Sequence, residues 1–391
     1  MVSQMQKTWW GLAVTTFGFF VALDLAKWIP LRFWGATSGE HFVDAKQILD
    51  SVKCLEENPY ISSTELCNKY VYGRFLLKTL DILNLKSSQT TLIGFIFLGI
   101  LAVVFAFVSF KSEIPISIYA AILLSPPVIL LAERANFDIL MVGFVVLSSI
   151  LSWQGNQIGS TLSIAVSSLF KFYTIPLMFF QAWFARKPLV RALIILFAGV
   201  VTIYISKEIL TTKILMNPSN GNTYNNGEGF GFNIWSGYLP RFEKFLPLNL
   251  GVAGYLISAG MLVIISFSTY LYFNSKDTSR VIGQLEIDHS FRTFEYLLIV
   301  HLSCFFAGVS IDYRQIFLIA ATLSYLSAIS HIENQELEKK SLVGLLLISI
   351  WCTFPSDGLQ LIGDIALTIL TLLLLEKLVR QRVLARKPLN K

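Results

Sequence analysis

Three short strings hold most of the side chains in this sequence that could do chemistry: Glu133-Arg134-Ala135-Asn136-Phe137-Asp138, Lys171-Phe172-Tyr173 and Asp312-Tyr313-Arg314. Each interrupts or flanks a long apolar run. Ionisable side chains beside hydrocarbon are costly, so they mark places where something is bound or transferred. Arg and Lys match a phosphate or pyrophosphate, with Arg able to grip it bidentately. A carboxylate held opposite can take a proton from an attacking hydroxyl. Tyr60, Tyr72, Tyr173, Trp235 and Tyr313 suit stacking on a sugar, and membrane-interface belts also account for Tyr and Trp. The four histidines are scattered, and no cysteine and histidine spacing resembles a zinc site, so the chemistry expected is metal-independent and needs no cofactor.

The elements that position these strings follow from composition. The chain has 391 residues, 54% of them hydrophobic and 14% charged, against about 25% charged in soluble proteins. Its mean hydropathy is +0.63. An all-α, polytopic membrane protein is expected, with one domain over 1–391. Apolar stretches able to cross a hydrocarbon core of roughly 30 Å fall at 9–29, 90–110, 115–132, 138–153, 158–171, 174–185, 192–212, 248–273, 294–310, 315–331, 341–355 and 359–376, about twelve crossings. The net charge of +6 does not indicate nucleic acid, since no basic stripe with interleaved aromatics stands outside these runs.

Basic residues sort onto one side if the crossings alternate. Lys7, the Arg186-Lys187-Arg191 loop, the Lys276-Arg280-Arg292 loop, Lys339-Lys340 and the basic tail 377–391 then share a face, which makes both termini cytoplasmic. The first span lacks a small-residue cleavage site and reads as a retained signal anchor. Parity places the loops 31–89 and 213–247 and all three polar strings on the opposite, extracytoplasmic face. At Lys171 and at Asp312-Arg314, apolar segments too short for a comfortable crossing meet, as in broken helices that line a cavity or are buried in protein. Asp24 and Lys27 are spaced as an intrahelical pair. The Asn- and Gly-rich stretch 217–235 reads either as a lid or as a plain loop.

Loop 31–89 is far longer than the usual connection of about 4 to 6 residues and should fold. Phe42, Ala45, Ile48, Leu49 and Val52 recur at helical spacing, giving an amphipathic helix able to lie on a membrane surface, with Asp44, Gln47, Asp50 and Ser51 on its polar face. Asn58-Pro59-Tyr60 reads as a turn, and Leu76, Leu77, Leu80 and Ile82 as a second interfacial helix. Cys54 and Cys67 lie between the two and are either a disulfide closing the loop or two free thiols. Cys304 and Cys352 fall within spans and read as packing residues. Carboxylates, Arg, Lys and Tyr beneath such a loop could hold a lipid-linked phosphate.

The ordered set of this helix, Asn58-Pro59-Tyr60, Tyr72-Gly73-Arg74 and the three polar strings resembles polytopic glycosyltransferases of the GT-C type, particularly the family 87-like polyprenol-phosphate-mannose-dependent enzymes, over about residues 9 to 331. The resemblance implies a many-helix membrane fold in a bacterial plasma membrane and a polyprenyl-phosphate sugar donor. It also implies a glycan or glycolipid acceptor and inverting transfer of a mannose-like hexose on the extracytoplasmic face. It further implies a catalytic base from the first outer loop, here Asp44, with Glu40 and Asp50 as competitors. Arg134, Lys171 and Arg314 are the expected ligands of the donor phosphate. Tyr60, Arg74, Glu133, Asn136, Asp138, Tyr173, Asp312 and Tyr313 would line the substrate pocket, Asp312 chiefly to fix Arg314 by a salt bridge. The chain departs from the family pattern at Ala135, where glycine is usual, at Pro176, displaced from the Lys171 turn, and at Glu57, where a glycine usually precedes Pro59-Tyr60. The other class of function the residues allow is a transporter or flippase of a lipid-linked or anionic substrate, for which broken helices with charges would also serve.

Overall fold

A computed structural model describes residues 2–26, 41–52, 74–185, 187–212, 229–230, 289–306, 310–330, 332, 335–352 and 357–384. These residues are overwhelmingly helical. In chain order the helices are α1 (Val2–Leu25), α2 (Val43–Ser51), α3 (Arg74–Ile82), α4 (Thr90–Ser109), α5 (Ile116–Leu123), α6 (Pro126–Glu133), α7 (Asp138–Trp153), α8 (Gln157–Phe170), α9 (Ile175–Phe184) and α10 (Pro188–Thr212). Then come α11 (His289–Phe306), α12 (Ile316–Ile329), α13 (Glu336–Trp351) and α14 (Asp357–Leu384). Two-residue strands β1 (Gly229–Phe230) and β2 (Ser310–Ile311) pair antiparallel, Gly229 with Ile311 and Phe230 with Ser310.

A helix therefore stands at every expected span except 248–273, which lies outside the described residues. Two segments, Ser87–Ser109 and Pro188–Lys207, are long and apolar enough to cross a membrane. A third is added if α5 and α6, bent by 53° at their junction, count as one broken span. That bend has a local cause: Pro126 and Pro127 start α6 and remove the amide donors that would continue α5. Five further apolar stretches of helix among the described residues are 10 to 17 residues long, so twelve independent crossings exceed what helix length and composition establish. The tail expected from residue 377 begins as a continuation of α14, which runs to Leu384.

All fourteen residues of α12 are buried, which makes it the centre of the bundle, packed against α4 and α11. The outer helix α10 instead turns Leu189, Leu193, Leu196, Val200 and Ile203 outward, as a hydrocarbon surrounding allows. Hydroxyls and small side chains hold neighbouring helices together. The Ser148 hydroxyl donates to the Ser160 carbonyl at 2.9 Å and the Ser160 hydroxyl to the Ser148 carbonyl at 2.8 Å, while Gln181 Nε2 donates to both hydroxyls at 2.8 Å. Such reciprocal bonds satisfy polar groups that apolar surroundings would otherwise leave unmet.

Helix directions define two ends of the bundle. Phe97 of α4 packs on Phe137, and Gly143 of α7 faces Ile100, so α4 and α7 run in parallel. From the turn bearing Arg314, α12 descends until Ser327 donates to the Val108 carbonyl at 2.7 Å. At that second end the His289 ring lies 5.6 Å from the rings of Phe107 and Trp153.

The expected amphipathic helices exist as α2 and α3, but their apolar faces are covered by protein and do not form a membrane-surface stripe. Phe42, Ala45, Ile48 and Leu49 are buried in the main core, as are Leu76, Leu77 and Leu80, while Ile82 stays exposed. Gly94 makes this docking possible: a Cβ there would fall 2.2 Å from the Phe42 ring.

Candidate functional site

Residue types place Asp44 on a short helix, and the chain ends of two helices aim it. Phe42 adopts a left-handed conformation, φ 53°, just before α2. The first amides of α2 then donate to the last carbonyls around α6: Phe42 N to Glu133 O at 2.8 Å, Asp44 N to Arg134 O at 3.1 Å and Ala45 N to Arg134 O at 3.4 Å. A helix start has donors without internal partners, a helix end has acceptors without them, and their opposite partial charges attract. The backbone thus locks α2 to the Glu133-Asp138 turn before any side chain contributes.

Side chains complete the junction. The Arg134 guanidinium donates to Asp44 Oδ1 from Nε at 2.9 Å and from Nη2 at 2.6 Å. Asn136 Nδ2 donates to Asp44 Oδ2 at 2.5 Å. The other end of the Asn136 amide, Oδ1, accepts from the Asp138 backbone amide at 2.9 Å and from Lys171 Nζ at 3.3 Å. Lys171 Nζ also donates to Asp138 Oδ1 at 2.6 Å, and the Tyr173 hydroxyl donates to the same oxygen. Arg314 Nε lies 3.6 Å from Asp138 Oδ2, an ion pair longer than a hydrogen bond. Its guanidinium stands 5.4 Å from the Tyr173 ring centre, a distance at which cation and π face attract.

The result is one continuous polar string from Arg134 through Asp44, Asn136, Lys171 and Asp138 to Tyr173 and Arg314. Asp138 and Lys171 are almost wholly withdrawn from solvent, their side chains 0% and 7% exposed. A buried carboxylate is tolerable here because it sits in the first turn of α7, where the helix dipole favours negative charge, and faces two cations. Chemically, three cations and two carboxylates meet where helices end, an arrangement able to hold an anion beside a proton acceptor. Among the described residues Asp44 Oδ2 accepts one hydrogen bond, from Asn136, and so keeps capacity to accept another.

Of the residues singled out from sequence, Asp44, Arg134, Asn136, Asp138, Lys171, Tyr173 and Arg314 come together in this network. Glu133 joins through its backbone carbonyl, and its side chain is buried. Asp50 does not join: six residues further along α2 it points elsewhere and accepts a hydrogen bond from Ser87. Asp24 meets His41 Nδ1 at 2.7 Å, tying the end of α1 to the start of α2. The pair expected from sequence was with Lys27, which lies outside the described residues. Also outside them are Glu40, Cys54, Tyr60 and Cys67, the side chains of Arg74, Asp312 and Tyr313, and all of 217–235 except β1, which pairs directly before the turn carrying Arg314.

Sequence reasoning missed His41 and the backbone junction, which have no periodic signature. It did flag position 135. Ala135 is buried with φ 45°, a left-handed conformation that glycine adopts freely and that costs an L-residue about 1–2 kcal/mol. Losing one buried methyl gives back about 0.8 kcal/mol. Ala135→Gly is therefore expected to leave stability unchanged or raise it by up to about 1 kcal/mol, read by denaturant unfolding in detergent; a clear loss would show that the methyl outweighs the strain.

Comparison of the chain with protein-family models, with curated proteins and with solved structures returns no match.

Proposed function

We propose that this chain is a polytopic membrane glycosyltransferase of the GT-C type, moving a mannose-like hexose from a polyprenyl-phosphate donor to a lipid-linked or glycan acceptor on the extracytoplasmic face. In this reading the chain crosses the membrane about twelve times with both termini cytoplasmic. Arg134, Lys171 and Arg314 receive the donor phosphate. Asp44 removes the proton from the acceptor hydroxyl as it attacks the anomeric carbon from the side opposite the phosphate, so the configuration inverts and the leaving phosphate needs no metal to carry its charge. Asn136 and Asp138 hold Asp44 and Lys171 in register, and Tyr173 offers a ring beside the phosphate.

One observation carries this reading: Asp44, drawn from the first loop, is held by the Arg134-Asn136 turn, which also reaches Lys171, while Arg314 closes the string from a third segment. An acid-base group is thereby set beside a cluster of phosphate-matching cations. The test is incubation of membranes containing the protein with a panel of labelled prenyl-phosphate sugars. Transfer of label to a lipid or glycan fraction, abolished in the Lys171→Ala/Arg314→Ala protein, is the expected result.

The 53° bend between α5 and α6, which ends at the same polar string, favours a second reading as a transporter of an anionic lipid-linked substrate. Label appearing unchanged on the opposite side of sealed vesicles, with no transfer product, would select it.

A further inference from the structure

An apolar groove of about 1200 Å³ runs between α1, α4 and α7, from Ile96 and Leu140 on the polar-string side down to Phe110, Lys111 and His289 at the second end of the bundle. It is larger than the roughly 300–1,000 Å³ of ordinary small-molecule sites. Its lining follows α4 from Ile96 to its end and continues to Lys111 just beyond, about 20 Å at the helical rise, enough for a hydrocarbon chain spanning one leaflet of about 15 Å together with its polar junction. Gly99 and Gly143 form part of the wall, where larger side chains would occupy the space, and Val103 and Leu147 lie on its exposed side.

The polarity of this groove is one-sided. Among the described residues, the side chains with hydrogen-bonding groups that line it are Trp9, Lys111 and His289, all at the second end of the bundle. Among the described residues the Trp9 indole N–H is buried and has no hydrogen-bond partner. A buried indole normally donates to something. A long hydrocarbon wall ending in a cation and a donor matches an amphiphile with an anionic head.

We propose that this groove binds an anionic phospholipid, one acyl chain lying along α4 and α7 and the headgroup phosphate accepting from Lys111 and the Trp9 indole. The site is separate from the Asp44 network and does not depend on sugar transfer. Charge selects the lipid, because an acyl chain alone would fit any phospholipid, whereas Lys111 beside a phosphate discriminates against heads whose negative charge is cancelled by an attached ammonium.

The experiment is photo-crosslinking of the full-length protein in nanodiscs with diazirine-acyl phosphatidylglycerol or phosphatidylcholine, followed by peptide mapping. The expected result is labelling of peptides 96–111 and 140–150 with phosphatidylglycerol about fivefold above phosphatidylcholine. Lys111→Glu should abolish that preference while sparing phosphatidylcholine labelling, and Val103→Trp should reduce labelling by both. Equal labelling by the two lipids, or a preference that survives Lys111→Glu, overturns the proposal. So does displacement of the label by a prenyl phosphate with loss in Lys171→Ala and not in Lys111→Glu, which would make the groove the berth of the substrate tail.

Discussion

Asp44→Asn is expected to lower sugar transfer by about 10²- to 10⁴-fold, the range that a positioned general base contributes. The replacement keeps size and shape, and an amide oxygen can still accept from Arg134 or Asn136, so α2 should stay docked through its backbone bonds to Glu133 and Arg134. What the amide lacks is the ability to take the acceptor proton. The ion pair lost is with an Arg134 side chain 31% exposed, and partial solvent screening keeps the cost in stability to about 1 kcal/mol. Two further measurements separate a base from a positioning group. In Asp44→Asn kcat should fall while KM for the acceptor stays near the wild-type value, and Asp44→Glu, which keeps a carboxylate, should restore part of the transfer. Asp44→Asn transfer at the wild-type rate would remove Asp44 from the base role and direct attention to Glu40.

Asp138→Ala is expected to destabilise the protein by about 3–5 kcal/mol, because it removes the carboxylate from a buried ion pair and leaves the buried Lys171 ammonium with the neutral Asn136 Oδ1 in place of its nearest carboxylate. Arg314 and the Tyr173 hydroxyl lose the same partner. The double variant Asp138→Ala/Lys171→Met removes both charges of the closest pair, and part of the loss should return, with a coupling of up to about 3 kcal/mol between the two sites. Unfolding in mixed detergent micelles reads all three proteins. Simple additivity would show that the two residues do not act as one unit, and would undo the view of Asp138 as the group that holds Lys171 in register.

Much of this was legible in the sequence because its signals are local. The apolar runs mark the helices at all but one expected position, and the period of Phe42, Ala45, Ile48 and Leu49 marks α2 with Asp44 on its other side. The three polar strings stand out because charge is rare in such surroundings, and the bundle brings Arg134, Lys171 and Arg314 from them into one network. Ala135 adopts a left-handed backbone, a conformation that glycine takes freely.

Local signals do not carry partners, however. A period reports which side of a helix is apolar and not what will cover it, so the choice between a membrane surface and the bundle for α2 was open until Gly94 was seen to admit the Phe42 ring. Nothing in the spacing separates Asp44 from Asp50, since both lie on the polar side of the same short helix. Their fates diverge because the start of α2 abuts carbonyls 90 residues away, and a helix end can be capped in this way only once the bundle has placed another helix end there. Composition and order along the chain determined an all-helical protein with helices able to cross a membrane, and which polar side chains stand out in it; tertiary packing alone decided that Asp44 meets Arg134 and Asn136 while Lys171 meets Asp138, because contacts between distant segments depend on how whole helices fill space.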